Sequence, residues 1–247
     1  MPRWARLSLG LAHGALLWFT ALWLAWLLLA RVDFLYPAAY RLLDIPATLK
    51  TYVPQNRYGR QDFIQTDAAE HVRLFAGIGR AIRQQGEGLE SLLYHDPQGR
   101  ELGVLLTRDE VLHLRDVARL VDVGERAGLL AAVGWLGLMG VLAWRRVAVP
   151  SVGALLRGSA VVLVAAGGVL WAVGPVEVFY AWHRWAFPPD HPWFFYYQDS
   201  LMSSLMQAPN LFGFIGAVWL FTSLLLLLGL ASVSQRLSRI RPTRRSS

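Results

Sequence analysis

The residues best suited to chemistry fall in two short stretches. In Glu110-Val111-Leu112-His113-Leu114-Arg115-Asp116-Val117, the residues Glu110, His113 and Asp116 recur at i, i+3 and i+6. On a helix these positions lie close to one face. A histidine flanked by carboxylates has an orienting partner and raised basicity, which suits a general base. The same spacing also fits a solvated polar face with a salt-bridging histidine, and on spacing alone both readings stand. The second stretch runs from Glu177 to Asp199. Glu177 closes an apolar run, where an ionisable side chain is costly unless it is paired or functional. Arg184 is an available partner. His183 sits between Trp182 and Trp185, either as a functional imidazole or as a packed interfacial ring. Asp199 closely follows five consecutive aromatics, Trp193 to Tyr197. Such a carboxylate can orient a histidine or an amine, or cap a helix.

The remaining candidates carry less. His191, in Pro189-Asp190-His191-Pro192, has a turn-like context that favours exposure. His13, His71 and His95 have no partner motif. Ser200, Ser203 and Ser204 lie in a helix-like run without an adjacent base and read as packing residues. The chain has no cysteine, which excludes disulfides, thiolate nucleophiles and cysteine metal sites. There is no His-Glu-x-x-His run, no Gly-x-Ser-x-Gly elbow and no Walker loop. A metal held by His113, His183 and Asp199 would have no ligand motif behind it, and neither a metal nor another cofactor is expected.

Charge and hydropathy say what must position these residues. Of 247 residues 55% are hydrophobic, and the 17 acidic ones all lie between Asp33 and Asp199. Apolar runs at residues 8–30, 127–144, 158–179 and 211–233 approach or reach the roughly 20 residues that cross a bilayer. The termini and the connector 145–157 carry Arg3, Arg6, Arg145, Arg146, Arg157, Arg236, Arg239, Arg241, Arg244 and Arg245, with no acidic residue. Basic residues gathered on one side of the spans are the signature of the cytoplasmic face. The expected fold is an all-α membrane protein of four transmembrane helices. Residues 1–7, 145–157 and 234–247 are cytoplasmic in this reading; 31–126 and 180–210 are extracytoplasmic. The net charge of +7 then follows from topology, and no nucleic-acid partner is expected. The first apolar run exceeds a signal-peptide core of about 7–15 residues and reads as an uncleaved anchor.

The loop 31–126 is too long to be a connector and must fold. Asp67 can start an amphipathic helix in which Val72, Phe75, Ile78 and Ile82 recur at helical spacing. Two short apolar runs flank Asp96-Pro97-Gln98-Gly99 and predict a small β-hairpin. Thr107-Arg108-Asp109-Glu110 has the spacing of a capping box. The helix it opens, with Val111, Leu114, Val117 and Val121 as its apolar stripe, can feed into the second span. Segment 180–210 is aromatic-rich, and its four prolines preclude one continuous helix. Trp and Tyr favour the membrane–water interface, so this segment is expected at the outer lipid surface.

Two runs resemble a known family. Thr107 to Val117 looks like its Glu-x-x-His-x-x-Asp-Val signature. Glu177 to Phe187, with Trp193, then Asp199-Ser200-Leu201 and Pro209, is similar to its Phe-His-x-x-Phe-Phe, Trp and Asp-x-Leu-Ile-x-x-x-Pro segment. The family comprises four-span bacterial integral membrane proteins and includes the lipoprotein intramolecular transacylase, Lit. The resemblance implies an acyltransferase of the bacterial inner membrane with its active site at the outer face. The expected reaction moves the sn-2 acyl chain of a diacylglyceryl-cysteine lipoprotein to that cysteine's α-amine. The expected partners are the lipoprotein substrate and membrane lipids. His113 would be the general base, oriented by Asp116 or Glu110. His183 would be the acid or oxyanion partner, with Asp199 holding it or the ammonium and Glu177 in support. Trp182, Trp185, Trp193 and Tyr196 would contact substrate.

Overall fold

The computed structural model describes residues 2–145 and 147–239. Arg146 and the basic stretch 240–247, both used in the charge reading, lie outside the described residues. The chain is mainly helical, with one two-stranded sheet. Four helices are long and apolar enough to cross a membrane: α1 (Arg3–Ala30), α5 (Arg108–Trp144), α6 (Val152–Val173) and α9 (Asn210–Arg239). This is the composition of a multi-pass membrane protein. Val161, Val162, Val164 and Trp171 of α6 are exposed, an apolar surface that suits hydrocarbon rather than water.

Two boundaries differ from expectation. The helix opened by the capping box and the second span are one element, α5, of 37 residues. At about 1.5 Å per residue it far exceeds the roughly 30 Å of a bilayer's apolar core. Its charged residues end at Arg126, and residues 127–144 carry none. The third span does not reach residue 179. It stops at Val173, where Gly174 adopts φ 91° and Pro175 begins a separate helix, α7 (Pro175–Ala186). Proline lacks the N–H that would continue the ladder and fits a first helical turn. Glu177 therefore lies in the first turn of α7, exposed, and not at the end of a span.

The chain divides into two compact units. The first comprises residues up to Trp26, Glu125–Val178 and the chain from Trp219 on. Its core gathers Leu17, Ala21, Trp135, Met139, Leu227 and Ala231. The indole of Trp18 donates to the Ser159 hydroxyl at 2.7 Å, and that of Trp219 to the Leu22 carbonyl at 2.8 Å. A Cβ at Gly128 would fall 2.2 Å from the Trp23 ring, so only glycine allows this approach of α5 to α1.

The second unit comprises Leu27–Gly124 and Phe179–Val218. Here α2 (Tyr36–Leu42), α3 (Ile45–Tyr52) and α4 (Ala68–Arg83) pack with the hairpin β1 (Leu93–His95) and β2 (Glu101–Val104) and with the short α8 (Leu201–Met206). Asp67 caps α4 by accepting from the Glu70 backbone N–H at 2.8 Å, and Phe75 and Ile78 are buried. The strands are antiparallel, with Tyr94 opposite Gly103. Asp96 closes their turn by accepting from the backbone N–H groups of Gln98 and Arg100. Tyr36 stacks on Phe75 at 4.1 Å and donates to the Leu205 carbonyl at 2.8 Å, joining α2, α4 and α8.

His71 is a core residue with partners on both ring nitrogens. Nδ1 lies 2.8 Å from the Tyr40 hydroxyl, Nε2 lies 2.6 Å from the Thr66 hydroxyl, and the ring stacks on Phe63. Burial brings its pKa down to about 4, well below the ordinary 6.5, against the smaller opposing pull of Asp67 and Glu70. The neutral ring is thus the folded form, and its stabilisation is present above pH 6.5 and lost as pH falls toward 4. Thermal unfolding of the purified protein should show its melting temperature dropping over that window. His71→Gln should flatten the drop, and an unchanged profile would contradict this role.

Candidate functional site

The second unit brings together His113 and His183, 70 positions apart in the sequence. Their ring centroids are 6.4 Å apart and their planes inclined by 28°. Phe187 lies against both, at 4.9 Å from His113 and 5.4 Å from His183. Phe195 completes the side of His113 at 6.0 Å. Phe179, Trp182 and Trp193 surround His183 at 3.9, 4.8 and 4.8 Å. The two imidazoles therefore share an aromatic cluster assembled from α5, α7 and the segment that follows α7.

His183 is 7% exposed. Its Nδ1 lies 2.8 Å from the Phe179 carbonyl, one turn back on α7. A carbonyl only accepts, so Nδ1 carries the proton and the neutral ring presents the Nε2 lone pair. Burial holds the His183 pKa below the ordinary imidazole value, and the bond to Phe179 offsets only part of this. His113 makes no hydrogen bond among the described residues; its contacts are the rings around it.

Glu110, His113 and Asp116 do share a face of α5, but neither carboxylate serves His113. Glu110 is 0% exposed. One of its oxygens accepts from the Thr107 backbone N–H at 2.5 Å and from the Thr107 hydroxyl at 2.9 Å, while the Glu110 N–H donates back to that hydroxyl at 3.3 Å. This is the capping box. The other oxygen accepts from the Ser200 hydroxyl. Ser200 is thus not a mere packing residue: it also accepts from the Ser203 N–H at 2.8 Å and caps α8. Asp116, also buried, accepts from Arg119 at 2.8 Å and from Nδ1 of His191 at 2.5 Å. The expected exposure of His191 is corrected accordingly: its side chain is only 23% exposed and bonded to Asp116.

Asp199 does not hold His183; it pairs with Arg57 at 3.1 Å. Glu177 makes no hydrogen bond or ion pair among the described residues. Of the four aromatics expected to meet substrate, Trp182 and Trp193 reach the histidine pair. Trp185, 82% exposed, and Tyr196 do not. Phe179, Phe187 and Phe195 belong to the site without having been singled out. A sequence signal for them existed only as aromatic density; His191 and Ser200 had none, because their partners lie 75 and 90 positions away.

A groove of about 540 Å³ is lined by Glu90, Leu106, Arg108, Val111, Leu112 and Arg115 among others, on a face of α5 turned away from His113. Among the described residues, no group of three or more His, Cys, Asp or Glu side chains could hold a metal. Comparison with protein-family models, with curated proteins and with solved structures finds no match to this chain.

Glu110→Ala would leave buried donors on Thr107 and Ser200 without an acceptor, a cost of about 2 kcal/mol or more. Its melting temperature should fall clearly below wild type, and that of Glu110→Gln, which keeps one acceptor oxygen, should fall less. Wild-type stability in Glu110→Ala would remove Glu110 from this structural role.

Proposed function

We propose that the chain is a Lit-like membrane acyltransferase that moves the sn-2 acyl chain of a diacylglyceryl-cysteine lipoprotein to the cysteine's own α-amine. The observation that carries the reading is the approach of His113 and His183, the two histidines of the resembling motifs. Two imidazoles about one small group apart can supply a base for the amine proton and an N–H donor for the oxyanion of an ester-to-amide transfer. The proposed setting is the bacterial inner membrane, with both chain ends in the cytoplasm and the pair at the outer face. The charge asymmetry supports that orientation.

In the proposed reaction, Nε2 of His183 accepts a proton from the attacking amine. The amine nitrogen bonds to the ester carbonyl carbon. His113 donates an N–H to the resulting oxyanion. The tetrahedral intermediate collapses by breaking the bond to the glycerol oxygen, and His183 returns its proton to that oxygen. An amide forms, an ester is lost and the proton count closes without a cofactor. Reversing the roles first expected for the two histidines follows from the hydrogen bonds. His183 has a fixed tautomer with a free lone pair, whereas His113 has no orienting carboxylate. Amine and ester belong to one molecule, so holding them in register supplies much of the rate. The exposed aromatics Trp182 and Trp185 suit a substrate whose acyl chains stay in lipid and whose amine is at the surface.

The test is mass spectrometry of the N-terminal lipopeptide of a model lipoprotein co-expressed with the full chain. The expected product has one acyl chain on the amine and a monoacyl-glyceryl thioether. An unchanged diacylglyceryl peptide, with the protein folded in the membrane, would overturn the reading. His113→Ala and His183→Ala should each lower turnover by about 100-fold or more while melting near wild type. The rate should rise toward pH 8, as the α-amine with its ordinary pKa near about 8 loses its proton. It should fall on acidification as His183, whose pKa burial holds below the ordinary imidazole value, takes one up.

A further inference from the structure

The pair His191–Asp116 lies outside the roles just assigned. His191 occupies the loop 188–192, which begins one residue after Phe187 and ends one residue before Trp193. Those two aromatics are the rings from this part of the chain that lie on His183, and Phe187 also lies on His113. The loop has no regular structure, and its internal backbone bond runs only from the His191 N–H to the Pro188 carbonyl at 3.1 Å. What ties it to the rest of the unit is the bond from His191 Nδ1 to Asp116 at 2.5 Å. Asp116 is itself rigidly placed, one turn beyond His113 on α5 and held by Arg119. The His191 Nε2 has no partner among the described residues.

We propose that His191 is a positioning residue. Through Asp116 it fastens loop 188–192 to α5, and so holds Phe187 and Trp193 against the two imidazoles and closes them from water. The role in turnover rests on the acyltransferase reading; the closure over His113 and His183 does not. The required property of residue 191 is therefore a donor that reaches Asp116, not a titratable ring. An asparagine amide can supply that donor from a similar distance along the side chain.

The test compares the full-length protein with His191→Ala and His191→Asn in the same detergent or nanodisc. The first readout does not depend on any reaction: the rate at which diethylpyrocarbonate modifies His113 and His183, resolved by peptide mass spectrometry. His191→Ala should raise that rate several-fold without loss of the thermal transition, and His191→Asn should stay close to wild type. The second readout is lipopeptide turnover. It should fall by about tenfold or more in His191→Ala, the factor that one lost charge-assisted hydrogen bond implies, and recover most of that in His191→Asn. Unchanged labelling in His191→Ala overturns the closure. Equal loss of turnover in both variants also overturns the proposal, since it assigns His191 a direct proton role. If wild type transfers no acyl chain yet the labelling pattern holds, the acyltransferase reading fails and the positioning role stands.

Discussion

Two buried carboxylates, one helical turn to either side of His113, hold the site together. Glu110 binds Ser200 and Asp116 binds His191, and both partners come from the segment that follows α7. Each carboxylate is lodged in a helix that is already rigid, so each bond fixes a piece of chain that has little structure of its own. Residues 187–200 contain no helix or strand. Between the two anchors the segment brings Trp193 and Phe195 to the imidazoles, and Phe187 reaches them from just before the first anchor. A buried carboxylate without such partners would be strongly disfavoured. The same bonds therefore satisfy the carboxylates and order the aromatic cluster.

The helix that carries these groups has two characters. The first half of α5 begins in a capping box and turns a mixed polar and apolar surface toward its unit; residues 127–144 are uncharged and rich in small side chains. No break separates them. A base or donor on such a helix is held by backbone hydrogen bonds rather than by a loop, which suits chemistry that depends on sub-ångström placement. α7 plays the matching part for His183. Pro175 starts it afresh after Gly174, and the Phe179 carbonyl one turn before His183 sets its tautomer.

His71 and His183 show how similar residues reach different ends. Both are buried and both have lowered pKa values from desolvation. His71 has hydroxyl partners at both nitrogens and is inert core. His183 has one partner and keeps a lone pair free. The difference lies in the count of hydrogen bonds and not in the extent of burial.

Much of this was readable from residues alone. The four apolar helices follow from run length and absent charge. The caps at Asp67 and Thr107-x-x-Glu110 follow from local side chain-to-backbone chemistry, and the hairpin turn follows from Asp-Pro-Gln-Gly. The i, i+3, i+6 spacing put Glu110, His113 and Asp116 on one face. All of these depend on neighbours within a few positions, where backbone geometry fixes the distance. The partners of those three residues were beyond reach. Spacing made the carboxylates look like orienters of His113, whereas long-range packing assigned them to Ser200 and His191 and paired His113 with His183. Such contacts depend on how distant segments pack, and no local periodicity encodes the distance between residues 70 to 90 positions apart.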